Sequence, residues 1–494
     1  MLQRAEQTVA GGQSRRRLVI AAMLISTFMA AIEVTVISTA MPTIVSQLGG
    51  FRLFSWAFGA YLLSQAVVTP LYGRVADSYG RKRVYLVSAS LFLLGSLLCG
   101  LARSMVSLIL FRALQGVGGG GLTPLATTII GDVSEPADRP RMLGYVSGIW
   151  GISAIVGPLL GAFFVNSLGW PFVFWVNVPV GLLAMAMVAR FLHEPPRSAK
   201  HQAIDVPGAG LLVIGIGAIM VVLVQSESLP TAGIIGVLAP GVVALLAFTW
   251  RERRVATPLL PIHLLRRRMI LAANVSAILC GSLMLGIVTM LPTWVQGVAG
   301  GNALSGGVVL GVLCVCWTAT TLTLGRYLAR LRFRPVAVIG SVVLVAGIVA
   351  LLGIAAGQTI LWVSVCCVAV GAGLGVNSLV FTVAVQSSVA RADRGRAMGL
   401  FYFSRLIGQA LGTAAFGGVL NRGLALAAPG NRDIVHTLLD SARRAALGPL
   451  ELNRLVATLD GALHSVFSLA CFVAVAALIV TLFVPHQEQL GQEE

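Results

Sequence analysis

Fourteen long apolar runs occupy most of this chain, and they restrict it to a structure built from membrane-spanning helices. A helix needs about 20 apolar residues to cross the hydrocarbon core of a bilayer, and backbone groups in lipid must be bonded within their own segment. Only 11% of the residues are charged, against about 25% in soluble domains. The sequence therefore predicts an all-α membrane protein with fourteen transmembrane helices. The runs cover approximately residues 18–40, 53–72, 84–102, 105–131, 142–165, 172–192, 207–225, 231–250, 270–292, 303–325, 335–356, 360–386, 397–420 and 462–484.

Basic residues stand in short clusters at the ends of the apolar runs. Examples are Arg15–Arg17, Arg81–Arg83 and Arg266–Arg268. With a cytoplasmic N-terminus, most Lys and Arg residues fall in cytoplasmic loops, as the positive-inside rule expects. The net charge of +17 is therefore a topology signal and does not indicate a nucleic-acid partner. We expect a multi-pass protein of the cell (inner) membrane, with both termini in the cytoplasm and the lipid bilayer as its surroundings.

The chain also repeats itself at a constant spacing of 255 positions. Gly116-Val-Gly118-Gly-Gly120 matches Gly371-Ala-Gly373-Leu-Gly375, and the basic loops that follow these segments match as well. This repeat predicts two six-helix bundles with a transmembrane hairpin inserted between them. The predicted boundaries are 1–195 for the first bundle, 196–265 for the hairpin and 266–494 for the second bundle. Transporters built from parallel halves bind their substrate near the midplane, where the halves meet.

One acid, Glu33, stands in the middle of the first apolar run. A carboxylate at that depth is costly unless it is protonated, paired or facing water, so it is a candidate functional group. At about 1.5 Å per residue, Glu33 lies roughly 22 Å from the inner face and Arg112 about 10 Å from the outer face. In a core about 30 Å thick the two groups reach a similar depth. Burial favours the neutral acid and a guanidinium favours the carboxylate, so the pair is predicted to exchange a proton; a static ion pair is the alternative.

Two further motifs predict moving parts. Gly73, Asp77, Gly80 and Arg81 join the second and third runs, where the glycines permit a tight turn and the charges form a latch that holds one global state. A second motif, in the fifth run, consists of glycines three or four apart followed by a proline that permits a kink. Such a flat face suits a helix that seals one side between the bundles. Its residues are Gly148, Gly151, Gly157, Pro158 and Gly161.

These motifs resemble those of the major facilitator superfamily, and most closely its fourteen-helix drug:proton antiporters of the EmrB/QacA type. The loop between the second and third runs is similar to G-x-L-A-D-x-x-G-R-K-R, with Val75 in place of Leu. The fourth run is similar to R-x-x-Q-G, and the fifth to the motif that marks the antiporters. Ile32 to Pro42 is similar to L-D-x-T-x-V-x-x-A-L-P, with Glu33 in place of Asp. The resemblance implies the major facilitator fold and links Glu33 to protons or cationic substrates.

Amide and aromatic side chains in the apolar runs are candidates for a substrate cavity, because such groups suit large amphipathic ligands. Ordinary packing is the alternative for each. A further charge in a run, Arg405, either faces the cavity or extends toward an interface. The candidate cavity residues are Gln65, Gln115, Trp150, Trp294, Asn377, Phe381 and Gln409.

The sequence thus predicts a monomeric, proton-coupled multidrug efflux antiporter that exports lipophilic, cationic compounds by alternating access. It contains no Ser/His/Asp set, metal-ligand cluster or phosphate loop, so we expect no enzymatic activity, no metal and no cofactor; the proton gradient would supply the energy. Three alternatives stay open: an exporter of an endogenous metabolite, lipid or siderophore, a proton symporter, and a membrane enzyme or sensor. The sequence also leaves open whether a periplasmic adaptor extends the pathway.

Overall fold

The computed structural model of the chain consists of helices. It describes residues 2–134, 139–194, 205–225, 229–255, 258–327, 332–354, 359–390, 393–427 and 434–484. Within these ranges only the backbone is described for residues 2–14, 77, 139–141, 143, 144, 147, 154, 155, 326, 441 and 442. These described ranges contain no β-strand, which confirms the all-α class.

Seventeen α-helices follow one another along the described residues. They are α1 (Leu2–Leu48), α2 (Phe54–Tyr79), α3 (Arg81–Gly100), α4 (Met105–Val133), α5 (Arg139–Ser167), α6 (Phe172–Trp175), α7 (Asn177–Phe191), α8 (Val206–Gln225), α9 (Thr231–Glu252), α10 (Arg268–Gly297), α11 (Ala303–Tyr327), α12 (Phe333–Leu352), α13 (Ile360–Ser387), α14 (Arg394–Ala427), α15 (Ile434–Leu439), α16 (Ser441–Ala445) and α17 (Pro449–Leu482). The short helix α6 and helix α7 together occupy the sixth predicted span. Between the thirteenth and fourteenth predicted spans, α14 runs on to residue 427, α15 and α16 follow, and α17 begins at Pro449.

Twelve segments in the described part of the chain are long and apolar enough to cross a membrane. The other two predicted spans, the second and the thirteenth, form the continuous helices α2 and α14, whose composition is more polar. These two helices pack against each other: a side chain at Gly417 would collide with Ser55, and Asn421 Nδ2 donates to the backbone oxygen of Arg52 at 3.1 Å. Their polar residues can therefore face protein instead of lipid, which explains the weaker apolar signal.

The glycine repeat has the same structural role in both copies. In the first copy, a Cβ added at Gly118 would collide with the α3 backbone at Phe92, and one at Gly116 with the α2 backbone. In the second copy, a Cβ at Gly373 would approach the α12 backbone at Leu344, and one at Gly371 would collide with the α11 backbone. Absence of a side chain thus lets α4 and α13 pack tightly between equivalent neighbours, as small residues permit in membranes.

The predicted domain boundaries stay predictions, and the boundary at 195/196 lies outside the described residues. The inserted helix α8 packs against the seam between α2 and α14: a side chain at Gly59 would collide with Met220, and one at Gly418 with the backbone of Leu223. We call the end of the molecule that carries Arg81–Arg83 the basic end and the other the opposite end. Contacts between α2 and α14 at residues 52–59 and 410–421 lie toward the opposite end.

Candidate functional site

Glu33 lies in α1 and is fully enclosed by protein. Its Oε1 accepts a hydrogen bond from Arg112 Nη1 of α4 at 2.5 Å, and its Oε2 accepts one from Asn177 Nδ2 of α7 at 2.5 Å. The relative exposures of Glu33, Arg112 and Asn177 are 1%, 1% and 2%. A buried carboxylate needs such partners, because an unpaired ion in a low-dielectric interior costs several kcal/mol. The three side chains therefore join α1, α4 and α7 through one charge pair.

Arg112 has further partners that do not depend on Glu33. Its Nε donates to the backbone oxygen of Ala57 at 3.0 Å, and its Nη1 donates to Gln115 Oε1 at 2.5 Å. Its guanidinium carbon stands 4.1 Å from the centre of the Tyr61 ring, within the range of a cation–π interaction. The positive charge thus keeps three favourable contacts even when the carboxylate is neutral.

Ser96 of α3 closes the network. Its Oγ accepts from Gln115 Nε2 at 2.7 Å and from Asn177 Nδ2 at 3.2 Å. Both amides are buried, so each would lose a partner inside the protein without this hydroxyl. Helices α1, α2, α3, α4 and α7 are consequently held together by one connected polar network in the first half of the chain.

Depth along the helices predicted that Glu33 and Arg112 would meet, and the structure brings them together; proton exchange by the pair stays a prediction. Sequence reasoning did not identify Asn177, Ser96 or Tyr61 as partners. A signal was present for Asn177, an amide inside an otherwise apolar run that follows the break at residue 176 between α6 and α7.

The motif at the end of α2 crosslinks the basic end of the first half. Gly80 adopts a φ of 93°, a conformation that favours glycine. The next residue, Arg81, donates its backbone N–H to Glu194 Oε1 at 2.9 Å, and its guanidinium pairs with Asp132. Lys82 Nζ donates to a backbone oxygen near the end of α7 at 2.7 Å. These contacts fix α3 to α4 and α7.

Two other residues of this motif are Gly73 and Asp77. Gly73 faces open space, since a Cβ there would meet nothing within 4 Å, and the side chain of Asp77 lies outside the described residues. Close by, Arg74 interacts with the carboxylates of Glu252 and Asp205, which lie at the end of α9 and just before α8. A latch that switches between global states stays a prediction.

The α5 motif lies where α5 packs against α1 and α11. Side chains at Gly157 and Gly161 would collide with Thr35 and Thr39 of α1. Thr35 Oγ1 also donates to the backbone oxygen of Ser153 in α5 at 3.4 Å. The glycine at position 157 thus sits against the turn of α1 that carries Glu33.

The same helix contacts the second half of the chain. A Cβ at Gly151 would lie 2.5 Å from Thr318 Cγ2 of α11, and one at Gly307 of α11 would lie 2.9 Å from the backbone oxygen of Pro158. Gly148 has open space around it. Helix α5 is therefore one of the elements that link the surroundings of Glu33 to the other half.

A cavity opens in the second half between α10, α11, α13 and α14. It holds about 350 Å³ of space not filled by atoms, part of which is open to the surroundings. Its walls combine aromatic, small and polar side chains with one charge, Arg405. Residues on its lining include Ser276, Cys280, Trp317, Asn377, Phe381 and Arg405.

The predicted cavity residues are distributed over several places. Asn377 and Phe381 line this cavity, and Gln409 Nε2 contacts Sδ of Met284, another lining residue, at 3.4 Å. Gln115 belongs to the Glu33 network. The remaining three lie elsewhere: Trp294 is buried and donates to Asp460 Oδ1 at 3.0 Å, Trp150 is 36% exposed on α5, and Gln65 is partly buried on α2.

Comparison with known sequences places these features in a family. The model of the Major Facilitator Superfamily matches residues 23–413. "Multidrug resistance protein 3" of Bacillus subtilis (strain 168) is 30% identical over 495 residues, which cover 97% of this chain and 96% of that protein. "Multidrug transporter protein MdtP" of the same organism is 30% identical over 414 residues, covering 83% of this chain and 76% of that protein.

Solved structures with the same fold are more distant in sequence. A bacterial homologue of the human lysosomal transporter Spinster, in an inward-facing and unoccupied conformation, superposes with a TM-score of 0.68 at 15% identity, covering 95% of this chain and 98% of that one. A D-xylose–proton symporter superposes with a TM-score of 0.64 at 12% identity, covering 95% and 98%. At this identity the similarity establishes the fold alone.

Proposed function

This chain belongs to the Major Facilitator Superfamily, and from that premise we propose that it is a proton-coupled efflux antiporter for lipophilic compounds. It is a transmembrane transporter, and we assign it to the fourteen-helix drug:proton antiporters, with α2 and α14 as the two more polar spans. In this proposal the protein works as a monomer in the inner membrane, with both termini in the cytoplasm. The proton gradient supplies the energy and no cofactor takes part.

Export is favoured over uptake by two observations. Two relatives that cover 97% and 83% of the chain are called a multidrug resistance protein and a multidrug transporter protein. The α5 motif, which resembles that of the antiporters, packs its glycines against α1 and α11. Because α5 of the first half packs against α11 of the second, a rocking motion of one half against the other must move α5 relative to α11.

The observation that carries proton coupling is the bonding of Glu33. Its carboxylate holds α4 through Arg112 and α7 through Asn177, each at 2.5 Å. Protonation removes the charge that attracts the guanidinium, so the hold of α1 on α4 weakens, whereas the neutral acid can still accept from Asn177 of α7. Arg112 stays where it is, because Ala57, Gln115 and Tyr61 still stabilise its charge. A neutral Glu33 thus leaves α1 freer to move away from α4, while Arg112 stays in place.

Glu33 has no contact with the described cavity in this conformation, so coupling requires a second conformation. A proton drives transport only if it binds the two states with different affinity. In the present state Glu33 is paired with Arg112 and enclosed; in the other, separation of α1 from α5 at Gly157 would open a path to it. Cationic cargo would pair with Glu33 there, in competition with the proton.

Efflux from energised inverted vesicles tests the proposal. With a cationic dye as cargo, we expect Glu33→Gln to lower proton-driven transport at least tenfold, because the amide cannot exchange a proton. Glu33→Asp keeps an ionisable group and should retain measurable transport. Both variants must elute from gel filtration like the wild type. Proton-driven transport by Glu33→Gln at the wild-type rate would remove Glu33 from the mechanism.

A further inference from the structure

Arg405 is a charged residue on the wall of the cavity in the second half. It lies on α14, about eleven residues or 16 Å from the start of that helix at the basic end, and it lines the cavity of the second half. Among the described residues no carboxylate forms an ion pair with it. Its nearest recorded partner is the ring of Tyr402, whose centre is 5.5 Å from the guanidinium carbon. A cation at this depth is costly unless something else stabilises it.

The other charged residues within the predicted spans do not neutralise Arg405. The sequence places three charges in the interiors of the predicted spans: Glu33, Arg112 and Arg405. The first two neutralise each other at 2.5 Å, so the interior keeps one net positive charge. That charge is on the wall of a cavity, and an anion entering the cavity would be attracted to it with little competition from water.

The other walls suit an aromatic body. Trp317, Phe381 and Phe401 come from three different helices and line the same cavity as Arg405. The hydroxyl of Ser378, also on the lining, has no hydrogen-bond partner among the described residues. A guanidinium binds a carboxylate or sulfonate through two parallel hydrogen bonds.

We infer that this cavity is a substrate subsite that takes the anionic group of an aromatic amphipathic compound, with Arg405 as its counter-ion. The inference rests on the proposed function and narrows its substrate class: anionic or zwitterionic aromatic compounds join the cationic cargo expected from Glu33. The charge belongs to one half only, since the 255-residue repeat places Trp150 at the position equivalent to Arg405.

A pair of probes with one aromatic body and opposite charges tests this subsite. The full chain is placed in nanodiscs of zwitterionic phosphatidylcholine, and equilibrium binding of 2-naphthoate and of 2-naphthylmethylammonium is measured at neutral pH. We expect the wild type to bind the naphthoate at least tenfold more tightly than the ammonium. Arg405→Gln should lower naphthoate affinity at least tenfold, and Arg405→Lys should fall between. Arg422→Gln, an exposed position on the same helix, is the matched control and should bind like the wild type.

A second measurement does not depend on folding of the Arg405 variants. Cys280 lines the cavity, so in a chain with Cys280 as its single cysteine, naphthoate should slow labelling by N-ethylmaleimide and the ammonium should not. Equal naphthoate affinity of wild type and Arg405→Gln, or no protection of Cys280, would overturn the inference. No proton gradient is present in either assay, so loss of binding here and loss of Glu33-dependent transport are separate results.

Discussion

The two halves of the molecule treat their buried charges in opposite ways. In the first half, Glu33 and Arg112 pair with each other inside a complete hydrogen-bond network, and neither is exposed. In the second half, Arg405 stands beside a cavity and has no carboxylate partner among the described residues. The two halves of a repeated fold thus differ. The first contains an acid paired with a guanidinium, and the second contains a guanidinium that lines a cavity.

The difference arises because a few equivalent positions of the repeat carry different residues, while the helices of the two halves pack alike. The glycine faces of α4 and α13 pack in the same way, yet the repeat places Cys367 where the first half has Arg112 and Trp150 where the second half has Arg405. This contrast agrees with the proposed roles, a proton-dependent contact in the first half and a contact with cargo in the second. Each prediction below tests one side of this contrast.

Removing one member of the charge pair should have the largest effect. Glu33→Leu leaves Arg112 buried with no counter-ion, which costs about 3–5 kcal/mol of stability. The double variant Glu33→Leu with Arg112→Met removes both charges and should recover most of that loss. Thermal unfolding in detergent measures both. Proton-driven transport should stay absent in the double variant, so a stable but inactive protein separates the coupling role from the structural one.

If Glu33→Leu were as stable as the wild type, the pair would not hold α1 to α4. If the double variant transported normally, the pair would be structural alone. The comparison with Arg405→Leu is then informative, since removal of an unpaired charge from the cavity wall should not destabilise the protein.

The α5 motif offers a matched pair of substitutions on one helix. Gly157→Val places a side chain into Thr35 of α1, and overpacking of this kind costs about 1–3 kcal/mol. Gly148→Val adds the same side chain where nothing lies within 4 Å. We expect the first to lower proton-driven efflux at least tenfold and the second to leave it near the wild-type rate. Equal losses at both positions would show that helix propensity, and not the contact with α1, limits transport.

Two native cysteines report on the two regions directly. Cys99 is buried beside the Glu33 network, with its Sγ 3.9 Å from Gln115 Oε1, whereas Cys280 is partly exposed and lines the cavity. In single-cysteine chains, N-ethylmaleimide should label Cys280 at least tenfold faster than Cys99. The labelling time course followed by mass spectrometry gives the ratio. Similar rates would mean that water reaches both regions alike, and the contrast between them would be lost.

Sequence reasoning reached the all-α class and the meeting of Glu33 with Arg112, because run length and helical rise fix how deep a residue lies. They do not fix its rotation about the helix axis. Gln115 and Trp294 have side chains that suit a cavity, yet the first faces Ser96 and the second faces Asp460. The polar partner Asn177 was missed for the same reason.

The two more polar helices illustrate a second limit. Helices α2 and α14 pack against each other, yet α1 and α10 are also largely buried and keep a strong apolar signal, so composition does not report how a helix packs. Arg405 could be placed in a span but not oriented, so its position on a cavity wall needed the structure. Packing between helices, which decides both cases, is not encoded in any single run of the sequence.

The smallest expected effect comes from two serines in the two halves. Ser96 Oγ accepts from Gln115 and Asn177, and Ser96→Ala would leave two buried amides short of a partner at a cost of about 1–3 kcal/mol. Ser378 lines the cavity, where its hydroxyl has no partner among the described residues, so Ser378→Ala should change stability by less than about 0.5 kcal/mol. Thermal unfolding of both variants beside the wild type measures the difference. A loss at Ser378 as large as that at Ser96 would mean that the cavity wall is as tightly bonded as the Glu33 network, and its hydroxyl would then not be free to meet cargo.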